Sequence, residues 1–298
     1  MTFSIVAIDK EAQETGFAIA SCSWDAGQVC LAQANVGAIA SQAQGNLSFL
    51  SQYFDKLAER MDLATILEAF RASDDGIESR QIGMVSFEHG ALAFTGEECS
   101  RWAGHRIGED FACQGNILVS PDVIDAMASA FQAAEGSLFE RLYAALEAGD
   151  GTGGDQRGRQ SARLAVKKKG WGQPGTDSMI DIRIEDHDDP VKEMGRILTV
   201  RRTLASILSL LRKLSSMSDE EKPSILREVE QVLQGKTECR YLDWWEMLAD
   251  NYYEVGEADL ALAAYKQYLA INPALRSVLE DRAEMGLLPK ELADALLK

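Results

Sequence analysis

The chain has 298 residues, 46% apolar and 26% charged, and its 30 Lys and Arg against 47 Asp and Glu leave a formal net charge of −17. A surface this acidic repels phosphate backbones and anionic lipid, which disfavours nucleic-acid and membrane partners, and no apolar run approaches the roughly 18 residues of a membrane span. Five cysteines without a C-x-x-C pair indicate neither a disulfide framework nor a zinc knot, and the N-terminus lacks signal-peptide features, so a cytoplasmic globular protein is expected, one large domain with a smaller appendage.

Taken in chain order, residues 3–8, 15–22 and 29–42 are apolar and β-rich and predict strands. Helices are predicted over 46–60 and 62–72, the second from the helical spacing of Leu63, Ile66, Leu67 and Phe70. Strands return at 81–87 and 91–95, joined by the hairpin signal Glu88-His89-Gly90, and at 110–118. Two Ala-rich amphipathic helices follow at 121–134 and 137–148, with Gly149 as the expected stop. A closing strand pair is predicted at 161–167 and 178–185, where Lys167, Lys168 and Lys169 suit a solvated hairpin tip. Strand blocks alternating with helix pairs predict an α+β fold in which helices cover the outer faces of sheets. From Pro190 onward no strand pattern occurs, and a long helix over 190–215 leads into an all-helical domain, giving expected domains of 1–200 and 201–298.

Within that second domain, residues 242–275 can be laid against the roughly 34-residue tetratricopeptide pattern. Trp245, Leu248, Tyr252, Gly256, Ala261, Tyr265 and Pro273 fall at its spacings, while Ala249 replaces the usual Gly and Tyr268 the usual Ala. One such unit cannot bury its own faces, so 219–234 and 275–298 are the expected neighbours. The module reads as a peptide-binding groove or as a capping and dimerising element, and the second is preferred because binding arrays need several repeats.

Three features carry candidate chemistry. The loop AGDGTGGDQRGRQSARL (148–164) brings Asp150, Asp155, Arg157 and Arg159 among glycines whose backbone N–H groups are able to hold an anion. No Gly-Lys-Ser/Thr follows, so it is not a Walker loop, and a polar connecting loop explains the same composition. His105 in RWAGHR and His187 in IEDHDDP, with Asp186, are candidates to converge on a metal or to move protons, or else are structural groups; His89 reads as surface. Neither H-E-x-x-H nor G-x-S-x-G is present. Thr2 is either an ordinary strand start or a nucleophile: removal of Met1 would free an α-amine with a pKa of about 7.7–8, suited to take the hydroxyl proton, whereas retained Met1 leaves an amide that cannot.

The ordered set TFSIVAID, TGFAIAS, VGAIASQAQGN, FTGEECSRWAGH, FACQGN, AGDGTGGDQRGRQSARL and IDIRIEDHDDPV resembles the bacterial family called domain of unknown function 1028, over residues 2 to about 200. The resemblance implies a four-layer αββα sandwich similar to the N-terminal-nucleophile hydrolases, with the helical tail as an addition, and it carries no assigned activity. By the same resemblance Thr2 matches the family's N-terminal Thr, His105 its W-A-G-H histidine and Asn116 its Q-G-N asparagine. Asp155, Arg157, Arg159 and Gln160 match its G-G-D-x-R-G-R-Q loop, and His187 the histidine before the D-x-P turn. Ser41-Gln42 stands where many relatives have Thr-Gln.

The leading expectation is an amide or acyl hydrolase of small molecules with Thr2 as nucleophile, Asn116 or loop N–H groups at the oxyanion, and Arg157 or Arg159 anchoring a carboxylate. The alternatives are a hydrolase using a divalent metal held by His105, His187 and Asp186, and a non-catalytic small-ligand binder whose helical tail makes a homo-oligomer.

Overall fold

A computed structural model describes residues 2–297. Its secondary structure comprises, in order, β1 (Thr2–Asp9), β2 (Glu14–Ser21), β3 (Cys30–Gln33), β4 (Gly37–Ala43), α1 (Ser48–Ala58), α2 (Leu63–Ser73), β5 (Arg80–Ser86), β6 (Gly90–Thr95), β7 (Gly104–Ile107) and β8 (Phe111–Asn116). Then come α3 (Asp122–Ala133), α4 (Leu138–Gly151), β9 (Ser161–Lys168), β10 (Ser178–Ile184), α5 (Pro190–Leu214), α6 (Lys222–Leu233), α7 (Leu242–Glu254), α8 (Ala258–Ile271), α9 (Arg276–Glu284) and α10 (Lys290–Leu297). The chain divides into two compact units between Ile197 and Leu198, inside α5.

The first unit is α+β. Its strands make a six-stranded sheet in the order β10-β9-β2-β1-β8-β7 and a four-stranded sheet in the order β3-β4-β5-β6, with every pairing antiparallel. Because side chains alternate along a strand, β1 has two different faces. Val6 and Ile8 join Phe17 and Ile19 of β2, Ala38 and Ala40 of β4 and Val85 of β5 in an apolar layer between the sheets. Phe3, on the other face, meets Gly149 of α4 and Gly154 beyond it. The outer face of the four-stranded sheet is covered by α1 and α2, where Phe49, Tyr53, Ile66 and Phe70 pack on Ile39, Ile82, Met84 and Phe94, and the Phe49 and Phe70 rings stack at 4.1 Å. Helices therefore lie on the outer side of both sheets.

Three local expectations change. The single run 29–42 is two strands, since Asn35 takes a left-handed φ of 59° and turns β3 back onto β4. The edge strand β7 departs from the expected elements: its four residues GHRI are half-buried or exposed and carry no apolar alternation. Gly149 does not end α4, which runs on to Gly151; it is buried, and a Cβ there would lie 2.7 Å from Met127 Cγ, so it is a contact glycine between α4 and α3.

The second unit is helical. Trp245, Leu248, Ala249 and Tyr252 of α7 and Ala261, Ala264, Tyr265 and Tyr268 of α8 form one core with Leu226, Val229 and Leu233 of α6 and Leu292 and Leu296 of α10. Ala249 and Ala261 are fully buried, as small residues at a close helix contact should be. Among the described residues no helix is long and apolar enough to cross a membrane.

Gly83 of β5 tests how tightly the two sheets are matched. A Cβ at Gly83 would sit 2.1 Å from Gln114 Oε1, whereas one at Gly151 meets nothing within 4 Å. Gly83→Ala is expected to cost about 1–3 kcal/mol in urea unfolding and Gly151→Ala to leave stability within about 1 kcal/mol of wild type. Equal effects would contradict this packing.

Candidate functional site

At the Thr2 end the inter-sheet layer turns polar. Thr2 stands opposite Asn116 of β8, and the β1–β2 register brings Ser21 to its other side. The Thr2 hydroxyl donates to Ser21 Oγ at 3.3 Å, and Ser21 Oγ lies 3.0 Å from Ser23 Oγ. Thr2 is 8% exposed and Asn116 1%. From the facing sheet, Gln42 Nε2 donates to the Thr2 carbonyl at 3.3 Å and to Gln81 Oε1 at 2.9 Å. Asn116 Nδ2 donates to the same Gln81 oxygen at 3.0 Å. Ser4 donates to Gln42 Oε1 at 2.7 Å and accepts from Gln114 Nε2 at 2.6 Å. Thus hydroxyls and carboxamides from β1, β2, β4, β5 and β8 converge on one end of the sandwich.

The Gly-rich loop clamps this end. Asp155 is buried, and its carboxylate accepts the Cys22 N–H at 2.9 Å, the Arg157 N–H at 2.8 Å and the Arg157 guanidinium at 3.2 Å. The Gln160 N–H donates to the Ser21 carbonyl at 3.1 Å. The segment Ser21–Cys22 is thereby held from both sides, and with it the hydroxyl that meets Thr2. Gly154, at φ 52°, lets the loop pass over Phe3, where a Cβ would stand 3.0 Å from the ring.

Arg159 pairs with Asp150 at 2.7 Å, and Gln160 Nε2 donates to Asp186 at 3.2 Å. Arg157 and Arg159 therefore already face a carboxylate of the chain. His187 donates its backbone N–H to the Gln160 carbonyl at 2.9 Å and accepts the Asp189 N–H at Nδ1 at 2.9 Å, so it closes the 186–189 turn.

The expected convergence of His105, His187 and Asp186 is corrected by the topology. His105 lies on β7 at one edge of the six-stranded sheet, whereas Asp186 and His187 follow β10 at the other. At about 4.8 Å per strand the two edges are on the order of 20 Å apart. Among the described residues no group of three His, Cys, Asp or Glu is placed to hold a metal. His105 belongs instead to the Thr2 end: its Nδ1 is 2.9 Å from Thr95 Oγ1, which accepts from Gln81 Nε2 at 2.9 Å. Burial, with the Arg106 charge beside it, holds its imidazole below the ordinary 6.5.

A family model described as a family of unknown function, DUF1028, matches residues 2–194, a span that includes every residue of this polar end. The chain belongs to the DUF1028 family. A crystal structure of a DUF1028 protein from Silicibacter pomeroyi is similar at 28% identity, covering 66% of this chain and 88% of that one with a TM-score of 0.60. No curated protein matches the chain.

Within the DUF1028 unit, the backbone is strained beside two of the converging residues. Ala43 (φ 66°) directly follows Gln42, and Ile117 (φ 49°) directly follows Asn116; a β-branched residue in the left-handed region is an outlier. Ile117 is fixed there by its N–H to the Ser100 carbonyl at 3.0 Å and by the Gln156 N–H to its own carbonyl at 3.2 Å. Sequence reasoning missed Ser21, Gln42, Gln81 and Gln114 as a group. The available signal was parity, because Thr2 and Ser4 share a face with Val6 and Ile8. Ser41, matched by resemblance to a hydroxyl position, points away and donates to the Asn46 carbonyl at 3.0 Å.

Two outcomes are expected. Asp155→Asn should lower unfolding stability by about 1.5–3 kcal/mol, because charge-assisted bonds to two backbone N–H groups are lost; an unchanged urea midpoint contradicts the clamp. Asp74, which accepts from Arg80 at 3.1 Å and Asn46 at 2.9 Å, has its carboxyl lowered to about 2 by those two partners in that order. Its folded value lies below its unfolded one, so its stabilisation is present above about pH 4 and is lost as pH falls toward 2. The stability gap between wild type and Asp74→Asn should therefore shrink over that window, and a gap independent of pH contradicts it.

Proposed function

We propose that the DUF1028 unit is an amide or acyl hydrolase of small molecules in which Thr2, exposed at the chain terminus by removal of Met1, is the nucleophile. One observation carries the reading: Thr2 opens a central strand with its hydroxyl in a polar row, Ser21 on one side and Asn116 on the other, at the end of an otherwise apolar inter-sheet layer. The helix–sheet–sheet–helix layering suits the likeness to N-terminal-nucleophile hydrolases, in which a terminal residue supplies both nucleophile and base.

In this mechanism the Thr2 Oγ1–H passes its proton through water to the α-amine as Oγ1 bonds to the substrate carbonyl carbon. The Ser21 hydroxyl, which accepts from Thr2 in the resting site, fixes the position of Oγ1, and the Thr2 O–H turns from it to the water as the amine takes the proton. Asn116 Nδ2 spends one hydrogen on Gln81 and has a second for the developing oxyanion. Collapse breaks the bond to the leaving group, which takes the proton from the ammonium, and water then hydrolyses the acyl-Thr2 ester. Arg157 and Arg159 serve this site by ordering its loop through Asp155 and Asp150, rather than by meeting substrate with an uncompensated charge.

The helical unit fits an assembly role better than a peptide-binding array. Its tetratricopeptide-like pair α7–α8 is one repeat, and the residues that fall at the pattern's spacings, Trp245, Tyr252, Ala261 and Tyr265, are buried in its own core.

A panel of small amides and esters tests the chemistry. Thr2→Ala should lower kcat/KM by about 10³-fold or more on any substrate that turns over, and Thr2→Ser should retain activity. Turnover that survives Thr2→Ala unchanged overturns the proposal.

A further inference from the structure

Four buried or half-buried side chains, Gln42, Asn116, Gln81 and Thr95, connect the Thr2 end to His105. Gln81 is fully buried, its Oε1 receiving Nε2 of Gln42 at 2.9 Å and Nδ2 of Asn116 at 3.0 Å. Its own Nε2 faces three acceptors: the Gly115 carbonyl at 2.8 Å, Thr95 Oγ1 at 2.9 Å and the Gly104 carbonyl at 3.1 Å. Turning the carboxamide over would set N–H against N–H on one side and oxygen against carbonyl oxygens on the other, so its orientation is fixed. Thr95 then accepts from Gln81, and its one hydroxyl proton has His105 Nδ1 in reach at 2.9 Å.

We propose that Gln81 is a positioning residue of the Thr2 site, holding Asn116 and Gln42 at one end and, through Thr95, fixing His105 as the neutral tautomer protonated at Nε2. Gln42 reaches the Thr2 carbonyl, so Thr2 and His105 are the two ends of one hydrogen-bonded path through Gln81. The geometry of the path stands without the hydrolase reading, although its use in positioning a nucleophile rests on that reading. The strained residues Ala43 and Ile117 adjoin Gln42 and Asn116, which marks the places where the surrounding structure overrides local backbone preference.

The other groups facing His105 are accounted for. Arg106 on its own strand pairs with Asp125 of α3 at 2.7 Å, Gln114 is its register partner on β8, and β6 presents Thr95. Because Thr95 Oγ1 keeps a second lone pair and Gln114 Oε1 is a buried acceptor, the Nε2–H assignment rests on the Thr95 proton pointing at Nδ1.

The experiment is long-range ¹H–¹⁵N NMR of the histidine rings in the full-length protein across a pH titration. His105 should show the Nε2–H pattern at neutral pH; an Nδ1–H pattern overturns the assignment. Asn116→Ala, three hydrogen bonds away along the path, should shift the His105 resonances in the wild-type background and should not in Gln81→Met. An equal response in both backgrounds, or none in either, overturns the coupling. Should Gln81→Met fail to fold, Gln81→Glu keeps the shape and, once ionised, no longer donates to Thr95, so the His105 midpoint should rise; an unmoved midpoint overturns the proposal. These readouts need no turnover. With a substrate in hand, Gln81→Met should lower kcat more than it changes KM, and a failure of that split alone removes the link to catalysis while leaving the path.

Discussion

Three glutamines and an asparagine are buried between two sheets; Gln42, Gln81 and Asn116 are tolerable there because each meets partners from the opposite layer, while Gln114 Nε2 is held by Ser4 of its own sheet. An unpaired buried amide costs about 1–3 kcal/mol, so Gln42, Gln81, Gln114 and Asn116 constrain one another's strands. The apolar half of the layer tolerates small slips of one sheet over the other far better than this polar half does. Gly83 illustrates the constraint, since it gives up its own side chain to leave room for the Gln114 carboxamide. What the polar layer fixes most closely is the start of β1, where Thr2 sits between Ser21 and Asn116.

The Gly-rich loop serves the same end. Its composition suggested a cradle for an anion, yet its central carboxylate, Asp155, is the acceptor in the clamp and its arginines face Asp155 and Asp150. Gly154 is needed where the loop crosses Phe3, and Gly153 where it passes Val119. Loop, polar layer and strained residues thus converge on Thr2 from three directions, which is a large structural investment around one hydroxyl.

Periodicity made most of the fold legible. The β1–β2 and β5–β6 hairpins, the helix pairs and the switch to helices after Pro190 follow from side-chain alternation and helical spacing. What escaped was set by tertiary contacts. The strand β7 exists because β8 offers it an edge, and Gly149 is a contact residue although its position near a helix end imitates a stop. Thr2 and Asn116, singled out in the sequence, are register partners at one end of the sandwich, whereas the histidines do not converge, because sequence proximity of Asp186 and His187 says nothing about which sheet edge they occupy. His105 was a sound candidate attached to the wrong partners. Its neighbours, Thr95 and Gln81, are reached through the strand register.

The central claim is that Thr2 becomes a terminal nucleophile in this setting, and intact mass spectrometry of the protein, before and after treatment with a small β-lactone, addresses it most directly. The account predicts a mass lacking Met1 and one acyl adduct that maps to Thr2. A chain that retains Met1 in full contradicts it, since the Thr2 nitrogen is then an amide with no basicity to lend.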